Sequence, residues 1–246
     1  MTKKARTVTA YVLSFVFILL LWIGMSLAVR AELILPGPDN VLKALLTLLK
    51  SPVFYKAFAF TFLRVLLSFL ISVVLGTLLG LLCALSSFAH DFFEFPLAII
   101  RATPVVAFIL IALFWFKSGT VPIFVGVLMT LPIMTTAVAN GLSKSEQKLL
   151  SMAQTFGLTK KQIFRYIKLP SLVPFFMNGM VSTFGLTWKV VAAGEVLSLP
   201  KYAAGTLLQR GQVHLETSSV IAVTIVLVTV SFIIERLFSL AVRKYE

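Results

Sequence analysis

Charge is scarce in this chain of 246 residues: Asp, Glu, Lys and Arg together make up 13%, with 9 acids against 22 bases. Cysteine is almost absent, since Cys83 stands alone and leaves no partner for a disulfide and no thiol cluster for a metal. The two histidines, His90 and His214, lack a spacing to Cys or carboxylates that suits a metal site. No G-x-x-x-x-G-K-[ST] loop is present to cradle phosphates, and no nucleophile, base and orienting acid form a triad. These gaps argue against a catalyst, and they leave no metal or cofactor expected on this chain. A formal net charge of +13 would suit nucleic acid in a soluble protein, but no basic stretch is interleaved with aromatics in the way such binding needs. No nucleic-acid partner is expected.

What is abundant is apolar sequence. Hydrophobic residues are 59% of the chain and the mean hydropathy is +1.01, more than a water-soluble surface can hide. Apolar runs of bilayer length recur at about 9–28, 57–85, 95–116, 121–142, 174–198 and 218–242. The expectation is an all-α integral membrane protein of six spans in one domain, 1–246. The first run is read as a retained span, because it exceeds the usual signal-peptide core and no clean small-x-small cleavage site follows. Twelve Lys and Arg lie on the side of the termini and the 144–173 loop, and seven on the other. That bias places both termini and the loop in the cytoplasm.

On the outer side, Leu35-Pro36-Gly37-Pro38-Asp39-Asn40 precedes Val41, Leu42, Leu45, Leu46 and Leu49, whose spacing predicts an amphipathic helix lying on the membrane or the bundle. The basic loop is more informative. Leu149, Leu150, Met152, Ala153 and Phe156 give a short helix one apolar stripe, and Gly157 supplies a left-handed end. Thr159 and Gln162 then stand three apart, the capping-box arrangement for a second helix. Pro170 and Pro174 mark the return to lipid. Helix, glycine corner, helix and proline make a compact knob, which on pattern alone is equally an ordinary interfacial hairpin.

The loop's spacing resembles the EAA loop of ABC importer permeases: Ser151-Met152-Ala153, three residues, Gly157, nine residues, Ile167, one residue, Leu169-Pro170. The family's leading Glu and first Ala are replaced by Ser151 and Met152; Glu146, a turn and a little earlier, is a substitute acid. The resemblance implies an ATPase-docking loop made by Glu146, Leu149, Leu150, Met152, Ala153, Phe156, Gly157, Ile167, Leu169 and Pro170. Elsewhere Thr61-Phe62-Leu63-Arg64, Arg101-Ala102-Thr103-Pro104, Phe114-Trp115-Phe116, Trp188 and Glu195 look like elements of the nitrate, sulfonate, taurine and bicarbonate branch. Lys117 and Leu199-Pro200-Lys201-Tyr202 depart from it.

That resemblance implies a non-catalytic permease in a bacterial plasma (inner) membrane. It implies a second copy of the chain, a cytoplasmic ATPase dimer carrying ATP and Mg, an extracytoplasmic binding protein, and a small anion as cargo. An aromatic heterocycle is the rival cargo, and an ion-coupled secondary transporter the rival class. Arg64, Arg101, Lys189 and Glu195 are the pathway candidates, because a charge at a span centre costs about 2.5–3.5 kcal/mol unless paired or wetted. The structural alternative is an internal pair such as Lys189 with Glu195, or snorkelling of Arg64 and Arg101. Gly76 and Gly80 permit close helix approach, expected within one subunit.

Overall fold

The computed structural model describes residues 3–143, 151–153 and 155–243, and their regular structure is entirely helical. The helices are α1 (Lys3–Val29), α2 (Pro38–Lys50), α3 (Pro52–Leu85), α4 (Ser87–Ala102), α5 (Val105–Trp115) and α6 (Val121–Ser143). They continue with α7 (Lys160–Ile163), a π-helical turn at Phe164–Lys168, α8 (Leu169–Ser198), α9 (Ala204–Val213) and α10 (Thr217–Arg243). Five stretches are long and apolar enough to cross a bilayer: Thr9–Val29, Pro52–Leu85, Val121–Ser143, Lys160–Ser198 and Thr217–Leu240. A backbone crossing lipid must satisfy its own polar groups, and helices do so.

The expected third span, 95–116, is not one rod. It begins earlier, at Ser87, and breaks between α4 and α5 with a bend of 101°. Pro104 is the cause: it lacks an N–H, and its ring drives Thr103 out of the helical region to φ −80° and ψ 131°. Counted as one broken crossing, α4 and α5 bring the total to six.

α3, α6 and α8 form the centre. Glycine sets how closely they approach: a Cβ on Gly76 would lie 2.6 Å from the Met134 Cβ, and one on Gly80 2.6 Å from the Val138 Cβ and 2.7 Å from the Thr135 carbonyl oxygen. The small-residue pair therefore packs α3 on α6 within the protomer, as expected. Hydroxyls follow the same seam, where Ser72 and Thr130 share a hydrogen bond of 2.7 Å and Ser68 donates to the Ile123 carbonyl at 3.3 Å. Val65, Phe69, Phe184, Trp188, Val191 and Leu227 join α3, α8 and α10 in the main apolar cluster. Ile109, Val121, Val125 and Val190 tie α5 to α6 and α8.

At the end opposite the 144–168 loop, α2 forms where its Pro-Asp-Asn start predicts, with Val41 buried and Leu42, Leu46 and Leu49 exposed. α1 is joined there by two bonds, Trp22 Nε1 to the Pro36 carbonyl and Ser26 Oγ to the Leu35 carbonyl, each 3.1 Å.

The α3–α6 seam makes a direct prediction. Gly80→Val should cost about 1–3 kcal/mol through overpacking, and Leu78→Ala, on an exposed face, about 0.5 kcal/mol or less. Thermal unfolding of the detergent-solubilised protein measures both, and equal melting of the Gly80 variant and wild type would contradict the seam.

Candidate functional site

Glu195 is fully buried near the end of α8, and its carboxylate is enclosed by three donors from two other helices. Arg64 Nη1 of α3 donates to Oε1 at 2.7 Å, Thr61 Oγ1 donates to Oε2 at 2.8 Å, and the Gly205 N–H donates to Oε2 at 3.1 Å. Arg64 also donates to the Tyr202 carbonyl at 2.9 Å, and the Ala204 N–H donates to Thr61 Oγ1 at 2.9 Å. These bonds solve a local problem. α9 begins at Ala204 with Ala203 as its cap, so its first N–H groups have no side-chain acceptor nearby in sequence. Thr61 and Glu195 provide acceptors from other helices, and the carboxylate sits at the positive end of the α9 dipole.

The chain reaches this position through an unusual corner. Leu199 takes a left-handed conformation, φ 52° and ψ 52°, and turns the segment after α8 back over Glu195. A left-handed non-glycine residue costs about 1–2 kcal/mol, which the enclosed carboxylate offsets. Gly205 completes the closure, because a Cβ there would lie 2.5 Å from the Glu195 Cβ.

The pairing of Lys189 with Glu195 does not form. Six residues along a helix rotate a side chain by about 240°, so the two face different sides of α8. Lys189 is exposed on that helix and makes no ion pair or hydrogen bond among the described residues. Arg64 does not snorkel; it is 9% exposed and committed to Glu195. Arg101 is exposed at the α4 end and lines a groove of about 190 Å³ with Glu94, Thr136 and Asn140. Helical spacing also brings together His90, Asp91 and Glu94, which the sequence reading set aside as lacking metal-ligand spacing: one ligand atom from each falls within 4.8 Å of the others. All three are exposed.

The loop segment keeps the local chemistry read from it. Gly157 has φ +70°, the bond from Phe156 N to the Met152 carbonyl is the last ordinary helical one, and the bond from Leu158 N back to the Ala153 carbonyl, 3.0 Å, is the 6→1 bond of a Schellman end. Thr159 and Gln162 form the reciprocal capping box. Ala153 is buried, whereas Met152, Phe156 and Leu169 are exposed. Glu146, Leu149 and Leu150 lie outside the described residues. Just before Pro170, which has no N–H to donate, the helix widens into the π turn; Ile167 falls within it, and its carbonyl accepts from Ser171 Oγ at 2.8 Å. From Lys160 to Ser198 the helix spans 39 residues, a rod of about 58 Å with the knob at one end and the Glu195 cluster at the other.

Sequence reasoning missed α9 and the Arg64–Glu195 pair. The run Leu207, Leu208, Gln209, Arg210 is helix-favouring, but its cap lies in other helices. Glu195→Ala leaves Arg64 buried without its counter-charge and should cost about 3–5 kcal/mol, whereas Arg64→Met with Glu195→Met together should cost less than Glu195→Ala alone. Thermal unfolding of the three variants in detergent checks this, and equal or larger loss in the double variant would show that the charges are not coupled.

Residues 76–246 match the family model described as the binding-protein-dependent transport system inner membrane component. The chain is similar to the taurine transport system permease protein of Escherichia coli K12, 24% identical over 87% of this chain and 80% of that one. It is also similar to a putative aliphatic sulfonates transport permease of the same organism, 29% identical over 78% and 73%, and to a nitrate import permease of Synechocystis, 28% identical over 66% and 63%. In fold it is like a chain of the MetNI methionine ABC transporter in an inward-facing conformation, with a TM-score of 0.62, 18% identity, and coverage of 78% of this chain and 94% of that one. An amino acid ABC transporter crystallised with histidines gives a TM-score of 0.57 at 18% identity, over 75% and 90%. An all-helical bundle with a broken crossing, a Gly157-cornered loop and a match over residues 76–246 lead to one assignment: this chain belongs to the family of inner membrane components of binding-protein-dependent transport systems, the ABC importer permeases.

Proposed function

We propose that two copies of this chain form the membrane part of an ATP-driven importer for a small sulfonate- or nitrate-like anion. A binding protein delivers the solute outside, and a separate ATPase pair, carrying ATP and Mg, docks on the two loops inside. Both termini lie in the cytoplasm, which the twelve-to-seven excess of Lys and Arg supports.

The observation that carries this reading is the form of the knob. Phe156 is 72% exposed, Met152 57% and Tyr166 65%, among Lys160, Lys161, Arg165 and Lys168. Exposed aromatic and Met side chains ringed by charge have the composition of a protein-docking surface, and the stiff Gly157 and Thr159 corners hold them on the end of the rod. Nucleotide-driven closure of the ATPases would move this end, and the rod carries the displacement into the membrane. The cargo class rests on the taurine, aliphatic sulfonate and nitrate permeases to which the chain is similar. Glu195, the best-placed acid for an ion-coupled carrier, is held by Arg64 and the start of α9, which favours ATP-driven over ion-coupled transport.

Two substitutions separate docking from folding. Phe156→Ala removes an exposed ring and should leave insertion and melting unchanged while weakening ATPase co-purification about tenfold or more, the effect of losing 1.4 kcal/mol or more at an anchor. Gly157→Val meets no neighbour within 4 Å but forces a β-branched residue to φ +70°, and should reduce co-purification and transport, with Gly157→Asn milder. Normal co-purification and transport in both Phe156→Ala and Gly157→Val would remove the docking assignment.

A further inference from the structure

A furrow runs between α8 and α10 along the depth of the membrane. Its outer part, a groove of about 370 Å³, is lined by Gln209, Gln212 and Thr217. It meets a middle groove of about 430 Å³ at the shared residues Leu208 and Thr224. The middle groove in turn meets an inner one of about 160 Å³ at Phe232 and Glu235. From Thr217 to Ser239 along α10 the three extend about 33 Å, close to the thickness of the hydrocarbon layer.

The lining is wrong for lipid. Lys189, Thr224, Ser231 and Glu235 all face the middle groove. Lys189 lies nine residues from the end of α8 at Ser198, about 14 Å along the axis, so its amine cannot readily reach the outer interface. Glu235 is half-buried, its carboxylate against the bare face of Gly185, where a Cβ would lie 3.3 Å from both oxygens. Lys189 and Glu235 share one groove yet form no ion pair, and neither has another hydrogen-bond or ion-pair partner among the described residues. A charge at the depth of Lys189 costs about 2.5–3.5 kcal/mol if left in lipid, and Glu235, nearer the inner end of the Thr217–Leu240 span, costs less. Water or a solute must meet them. The adjoining face of α8 carries the exposed Asn178 and Ser182, polar residues that continue the wet surface.

We infer that this furrow is a wall of the solute's route, that Lys189 receives an acidic group and Glu235 a cationic one, and that the solute is a small zwitterion such as an aminosulfonate. The inference rests on the importer reading and narrows its cargo. A bare anion would be drawn to Lys189 and repelled by Glu235 in the same groove. A solute carrying both charges satisfies both residues, and Arg236 in the inner groove offers the next contact for its acidic end. The furrow is open along one side, which the second copy would close.

The test uses thiol labelling in the assembled importer in membrane vesicles, with the single native thiol removed by Cys83→Ser. Ser231→Cys should react with water-soluble methanethiosulfonates several-fold faster than Leu78→Cys on the exposed face of α3. Adding Lys189→Gln should lower the ratio of anionic to cationic reagent rates. Taurine should slow the labelling more than ethanesulfonate, which keeps the sulfonate and lacks the amine, and Glu235→Gln should erase that difference. Labelling no faster than at Leu78→Cys overturns the wet furrow, and an unchanged reagent ratio overturns the role of Lys189. Equal slowing by the two solutes, or none, overturns the zwitterion. ATPase co-purification is independent of every one of these readouts, so failure here and failure of the docking assignment are distinguishable.

Discussion

The carboxylate of Glu195 is the point on which the half of this protein away from the Gly157 corner depends. Lipid supplies no hydrogen bonds, so an acid buried there must be satisfied by protein, and the donors come from α3 and from the start of α9, while the corner after α8 accepts from Arg64 through the Tyr202 carbonyl. Each donor solves a difficulty of its own by the same contact. Arg64 gains a counter-charge, Thr61 bridges two elements, and α9 gains the cap that Ala203 cannot provide. A left-handed Leu199 is tolerated because the turn it makes closes this set. Without the carboxylate, α9 would have unsatisfied N–H groups and α3 an orphan guanidinium.

The same helix carries the functional loop. From the Thr159 capping box to Ser198 there is no break in helical structure, and the two prolines, Pro170 and Pro174, are absorbed near its beginning by the π turn and the first turns of α8. A displacement at the exposed Phe156 and Tyr166 end would thereby pass to the helix that packs on α3 and α6 through Gly179, Gly194 and the Trp188 cluster. Stiffness along the rod and close glycine contacts across it make this core a solid body. The face of α8 bearing Asn178, Ser182 and Lys189 lies away from that packing.

Much of this was legible in residue order, because its causes are local. Apolar runs of bilayer length gave the crossings, Gly157 and the Thr159–Gln162 pair gave the corner of the loop, and Gly76 with Gly80 gave the close approach of α3 to α6. Other features were hidden because their causes are remote. Arg64 and Glu195 lie 131 residues apart, and nothing near either names the other. α9 has its caps on α3 and α8, so its own sequence carries no start signal. The bend at Thr103–Pro104 was signalled by proline, but its 101° depends on how α5 packs against α6 and α8. Lys189 and Glu235 are each legible as charges in or near a span, but that they share one groove depends on α10 lying beside α8.

In the proposed importer, α8 and its loop move as one rigid piece with the Glu195 cluster. Pulsed electron resonance distances between spin labels at Thr155→Cys, exposed on the loop, and Gln209→Cys, in a Cys83→Ser background, test it in the assembled importer with and without ATP and vanadate. The account predicts an unchanged distance within each protomer and a changed distance between the two copies' loops. A within-protomer distance that shifts as much as the one between copies would contradict it.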